Sequence, residues 1–195
     1  MKVNELAKAV ANTLINTGVE GGFDSVSCST AGDYPSLGCQ QVEGGRADSL
    51  LSYIDGGDYF IGRTYSDIVS SGELEDLSEL ISSEQGQAAQ MMVLANDCED
   101  YVQTILDYVP SMTEARSVIY SAAWMPTSTY VVRKFLQNRV GQIDYNNLYD
   151  LAEMFAEEYA IAADCEEYGQ GYANRAWTTY DYVKDLDLEQ FEDGE

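Results

Sequence analysis

Apolar residues in this chain recur at spacings of three and four, and no segment sustains the every-second-residue alternation of a half-buried strand. That pattern constrains the fold more than any other feature, because it can bury its apolar faces only by packing helices. Leu6, Val10, Leu14 and Ile15 predict a first helix over residues 4–17, capped by Asn4 and ended by Gly18. Ala47, Leu50, Leu51 and Ile54 predict a short second helix, broken by Asp55-Gly56-Gly57-Asp58. Leu74, Leu77, Leu80 and Ile81 share another face. Ser83 and Glu84 open a long helix carrying Met91, Leu94, Cys98, Val102, Ile105 and Leu106, which Pro110 stops. Further helices are predicted from Thr113 (with Val118 and Ile119), and from Pro126 ahead of Val131, Val132, Phe135 and Leu136. Leu148, Leu151, Phe155, Tyr159 and Ala162 form one more, closing near Gly169, and a last runs over residues 172–186. Residues 21–45, rich in Gly, Ser and Asp and holding Pro35, predict irregular backbone with a small hairpin. The expectation is a mainly α (α+β) fold, one domain over residues 1–186 followed by an acidic, frayed tail over 187–195.

Charge removes several functions. Lys and Arg number 10 against 34 Asp and Glu, a net charge of −24. Phosphate attraction needs clustered cations, so nucleic acid is not an expected partner, nor is an anionic membrane surface. No apolar run approaches the ~18 residues of a membrane span, so no membrane insertion is expected. The absence of histidine excludes Ser-His and Cys-His nucleophilic catalysis and most zinc hydrolase sites. Cys28, Cys39, Cys98 and Cys165 form no CxxC pair, so neither a metal nor a cofactor is expected, and the cysteines read as thiols. A Cys28–Cys39 bridge would stiffen the loop between them. Met1-Lys2-Val3-Asn4-Glu5 is not a secretory leader. Synthesis in the cytoplasm is expected, with any extracellular target reached by lysis, by a dedicated export route or inside a particle.

The chemistry-bearing stretch is residues 20–47. It reads Glu20-Gly21-Gly22-Phe23, then Asp24-Ser25-Val26, Ser36-Leu37-Gly38, Gln41, Gly44, Arg46-Ala47 and Leu50-Leu51. This order resembles lysozyme-like transglycosylases and phage and Firmicutes wall-lytic domains. In those, a Glu at a helix end precedes a Ser/Gly stretch and an apolar Gly/Gln motif. Thr178-Thr179-Tyr180-Asp181-Tyr182-Val183 resembles a segment that closes many such folds. The tryptophan expected after Gln41 is Val42 here. The resemblance implies a lysozyme-like fold of two lobes around a groove, cleaving the β-1,4 bond of peptidoglycan, as an endolysin, a virion-associated lysin or a prophage product. Bacterial cell-wall glycan is then the partner, with phage particle proteins as possible further ones.

Glu20 is the expected general acid. A carboxyl set beside Leu14, Ile15 and Val19 would keep its proton near neutral pH. Asp33 is the expected second carboxylate, with Asp24 and Glu43 as alternatives. A hydrolase needs that second group, at ~5 Å for retention or ~6.5–9.5 Å for inversion. A lytic transglycosylase manages with one, because the substrate's own 6-hydroxyl attacks. Ser36 and Gln41 would bind the sugar N-acetyl group or the backbone shaping the cleft. Of 15 tyrosines, Tyr120 and Tyr182 are the candidates for its wall. A chitosanase-type hydrolase is the enzymatic rival, since −24 suits a cationic glucosamine polymer. A catalytically inactive structural or adaptor protein is the rival of another class.

Overall fold

The computed structural model describes residues 1–18, 21–29 and 31–192. Its secondary structure is mainly helical, with one small antiparallel sheet. The chain divides into two compact units. One is continuous, Glu20–Leu94; the other is discontinuous, Met1–Val19 together with Ala95–Glu195.

In the continuous unit the loop after residue 20 leads into β1 (Val26–Cys28), β2 (Pro35–Leu37) and β3 (Val42–Glu43), paired antiparallel in the order β1-β2-β3. The register sets Val26 opposite Leu37, Ser27 opposite Ser36, and Ser36 opposite Glu43. Strands of two or three residues are too short for any alternation to show. Helices α2 (Gly45–Leu51), α3 (Tyr65–Ser71) and α4 (Leu74–Ser82) follow. Leu37, Val42, Leu50, Leu51, Phe60, Ile68, Leu77 and Ile81 bury their side chains in one core. Helix α3 is not expected from the sequence, because Ile68 is its only buried residue. Its ends are nonetheless encoded: the Thr64 hydroxyl accepts from the Asp67 amide, and Gly72 closes it at φ 78°.

Helix α5 (Glu84–Tyr108) belongs to both units by sequence. The Ser83 hydroxyl accepts from the Gly86 amide at its start, and it ends two residues before Pro110.

The discontinuous unit begins with α1 (Val3–Thr17), whose buried face is Leu6, Ala7, Val10, Ala11 and Leu14. Gly18 ends the helix in the left-handed region at φ 63°. The helix packs on α6 (Ala115–Ala122) and α9 (Gly169–Lys184), and α9 packs along α8 (Leu148–Ala162). Helix α7 (Thr129–Gln137) starts three residues later than Pro126 suggests, because the Ser128 hydroxyl accepts from the Val131 amide and caps it there. Helix α9, by contrast, starts earlier than expected, at Gly169 ahead of Tyr172. Part of the acidic tail is ordered: a 3-10 turn, Glu189–Phe191, packs against α1. The core here is aromatic. The Trp124 ring lies 4.6 Å from Phe155 and 4.8 Å from Tyr159, and Phe135 lies 5.0 Å from Phe155.

Candidate functional site

The sequence from Ser25 to Gln41 folds onto itself through polar side chains. Gly38 starts a 3-10 turn at φ 70°, and its amide donates to the Ser25 carbonyl at 2.7 Å. A Cβ at Gly38 would fall 2.0 Å from the Gln90 Oε1, so only glycine fits. Gln41 closes the turn at φ 51°, an uncommon conformation for a residue with a side chain. Its own side chain stabilises that geometry. Nε2 donates to the Gly38 carbonyl at 2.8 Å and to Ser25 Oγ at 2.9 Å, while Oε1 accepts from Ser27 Oγ at 2.7 Å. Ser36 Oγ donates to the Gln41 carbonyl at 3.1 Å. Of the two roles expected for Ser36 and Gln41, these bonds are those of residues that shape the backbone. Ser36 is buried.

Gln90 holds this turn to the rest of its unit, and sequence reasoning passed over it. Its side chain, 3% exposed, accepts from the Cys39 amide at 2.9 Å and donates to the carbonyls of Phe23 and Ile81 at 2.9 and 2.8 Å. One amide thus ties together the loop after residue 20, the Gly38 turn and α4. Its visible signal is a polar residue on the core face of an otherwise apolar helix stripe, beside Ala89 and Leu94.

Glu20 lies outside the described residues. The residue after it, Gly21, has φ 138° and rests against the network: a Cβ there would meet the Gly38 carbonyl at 3.7 Å, Ser25 Oγ at 3.7 Å and Gln41 Nε2 at 3.8 Å.

The candidate second carboxylates separate. Asp33 Oδ1 accepts from the Ser66 amide at 2.9 Å and the Ser66 hydroxyl at 3.0 Å, at the N-terminus of α3. It therefore acts as a helix cap supplied from another part of the chain. Glu43 is half-buried in β3, opposite Ser36. Asp24 is exposed, and its carbonyl accepts from Ser78 Oγ at 2.7 Å. With Val26, Val69, Leu74 and Glu75 it lines an open groove of about 550 Å³.

The two tyrosines belong to the discontinuous unit. Tyr120 is 0% exposed, its ring 5.6 Å from Phe155 and its hydroxyl donated to the Ala176 carbonyl. Burial pushes that hydroxyl's pKa up. A sugar has no access to it, so its expected place in a cleft wall is corrected to the core. Tyr182 is half-buried and donates to Asn12 Oδ1, joining α9 to α1.

A strongly perturbed carboxylate lies elsewhere in the continuous unit. Glu73 accepts from the hydroxyls of Ser71 and Tyr59 and from the Arg63 guanidinium at 2.7 Å, and these donors lower its pKa from 4.5 to about 2. Arg63 in turn lies over the Tyr59 ring at 4.9 Å. With every donor directed at a permanently charged carboxylate, this cluster clamps the start of α4 and has no proton to give at neutral pH.

Cys28 is exposed and Cys39 buried, and the two are not bridged. Among the described residues no three His, Cys, Asp or Glu side chains gather to hold a metal ion, and no helix is long and apolar enough to cross a membrane. Comparison of the chain with protein-family models, with curated proteins and with solved structures finds no match.

Proposed function

We propose that the chain cleaves the β-1,4 glycan strand of bacterial peptidoglycan, with Glu20 as general acid, as a wall-lytic protein of a phage or prophage. The observation that carries this reading is the seat of Gly21. The residue next to Glu20 rests on Ser25, Gly38 and Gln41, the residues through which the sequence resembles lysozyme-like domains. A turn fixed by Gln41 and Gln90 is the kind of rigid support a general acid needs for reproducible placement against a glycosidic oxygen. The engagement of Asp33 at α3 favours a single-carboxylate route. Glu20 protonates the leaving oxygen as the glycosidic bond breaks. The substrate's 6-hydroxyl then bonds to the anomeric carbon and returns a proton to the Glu20 carboxylate, leaving a 1,6-anhydro end.

The groove that Asp24 and Glu75 line, together with the net charge of −24, favours a second reading with the same acid: a cationic glucosamine polymer as substrate.

The test is Glu20→Gln on purified walls and on chitosan, followed by turbidity or viscosity, with mass spectrometry of the new ends. The variant should lose ~10²–10⁴ in rate with its circular dichroism unchanged. Activity within a few-fold of wild type would sink the assignment. If the wild type leaves both polymers intact, the chain is a binding or adaptor protein instead.

A further inference from the structure

We propose that α7 and α8 form a binding pocket for a small amphipathic anion, an apolar body ending in one carboxylate or phosphate. The first ground is charge distribution. Residues 115–143 are the longest run in the chain without Asp or Glu, and they hold four of its ten cations: Arg116, Arg133, Lys134 and Arg139. The remaining residues carry all 34 acids. Lys134 and Arg139 of that run line the pocket with Glu158 of α8, so the lining is net positive within a chain of −24, which eases the approach of an anion.

The second ground is shape. Helix α7 buries Val132, Phe135 and Leu136, which turns Tyr130 and Lys134 outward. Tyr130 on α7 and Ile161 on α8 are each 64% exposed. With Phe135, Asn138 and Arg139 they line a cavity of about 500 Å³. Small-molecule sites span ~300–1,000 Å³ and combine apolar walls with a few fixed polar groups.

The third ground is how the polar groups are held. Arg139 lies over the Phe135 ring at 5.3 Å, and its Nε donates to Glu158 Oε2 at 2.9 Å. That ion pair makes a stiff, internally neutral floor. Lys134, exposed at the rim, is then the one lining charge without a carboxylate partner among the described residues. Arg133 lies over the rings of Tyr108 at 4.6 Å and Tyr130 at 5.6 Å, adding positive potential behind the aromatic wall. A ligand's apolar body fits against Tyr130, Ile161 and Ala162, and its anionic head reaches Lys134 and Asn138. A second copy of the chain is the less suitable occupant, since two bodies of −24 repel.

The test uses the full chain with 8-anilinonaphthalene-1-sulfonate, a fluorescent amphipathic monoanion, and with N-phenyl-1-naphthylamine, its uncharged counterpart. The sulfonate should bind saturably and one to one. Lys134→Glu should weaken the sulfonate about tenfold and the amine less than about twofold, since only an exposed charge changes. Ile161→Asp should weaken both probes. Both substitutions are at exposed positions, so melting and circular dichroism should stay those of the wild type. Octanoate should displace the sulfonate and octyl glucoside should not; displacement by octyl phosphate as well extends the head group to phosphates. Unsaturable fluorescence, an unchanged sulfonate affinity in Lys134→Glu, or equal displacement by octyl glucoside would overturn the proposal. None of these readouts depends on glycan cleavage.

Discussion

Gln90→Ala removes three hydrogen bonds with one substitution. The Cys39 amide loses its acceptor, and the Phe23 and Ile81 carbonyls each lose a donor. A buried group left unpaired costs ~1–3 kcal/mol, more for an N–H than for a carbonyl with a second lone pair. Water entering the space vacated recovers part of this, so the expected loss is about 3 kcal/mol in the local stability of the Gly38 turn. The assay is amide hydrogen exchange by NMR. The Cys39 amide should exchange on the order of 10²-fold faster, while amides of α8 and α9 keep their protection. Gln90→Met separates bonding from packing, because it fills the site and makes none of the three bonds. It should lose nearly as much as alanine. A methionine variant within ~0.5 kcal/mol of wild type would refute the reasoning, since the turn would then be held by volume alone.

Asp33→Asn keeps an acceptor for Ser66 and should leave wall lysis within a few-fold, whereas Asp33→Ala should destabilise the fold by the ~1 kcal/mol of a lost helix cap, seen as a lower melting temperature. A loss of several orders of magnitude in Asp33→Asn would restore Asp33 to the reaction. Glu73, depressed from 4.5 to about 2 in the folded protein, contributes stability that is present above its ordinary value and lost as pH falls between the two. The melting-temperature gap between wild type and Glu73→Gln should therefore close from pH 5 toward about pH 2, and a gap that stays constant would contradict it. Tyr120→Phe should destabilise by about 1 kcal/mol, through the lost bond to the Ala176 carbonyl, with no change in lysis. Raising ionic strength from ~0.01 to ~0.15 M should speed lysis of anionic walls and slow attack on chitosan, because screening removes repulsion in one case and attraction in the other. Initial rates on the two polymers check the sign.

Helices were legible where they bury a stripe. Leu6, Val10 and Leu14 announce α1, and Leu94, Cys98, Val102 and Ile105 announce α5, because burial repeats with the helical period. Helix α3 buries one residue, so only its caps could mark it. The sheet was legible as a small hairpin within residues 21–45, but its three strands and their register were not, because ladders of two or three residues are too short to show alternation. The site was legible as composition and not as geometry. Ser36, Gly38 and Gln41 stood out as a motif, but their anchor, Gln90, is 49 residues beyond Gln41 and matters only through three-dimensional contact. Tyr120 was misread because a satisfied core hydroxyl uses the same residue type as a sugar platform, and Asp33, bonded to Ser66 at the start of α3, shows that a helix cap draws on the same residue type as a catalytic acid.

The interruption of the helical unit by the Glu20–Leu94 segment has a consequence for synthesis. Helix α1 leaves the ribosome well before its partners α6 and α9, which begin at Ala115 and Gly169. At ~5–20 residues per second, its apolar face waits on the order of 5–20 s for α6 and longer for α9. The inserted segment waits about half as long, since every residue of its core lies between Leu37 and Ala89. Leu6, Val10 and Leu14 thus stay exposed on the nascent chain for longer than the core of the inserted segment, as a grip for a chaperone and a face open to wrong partners during translation.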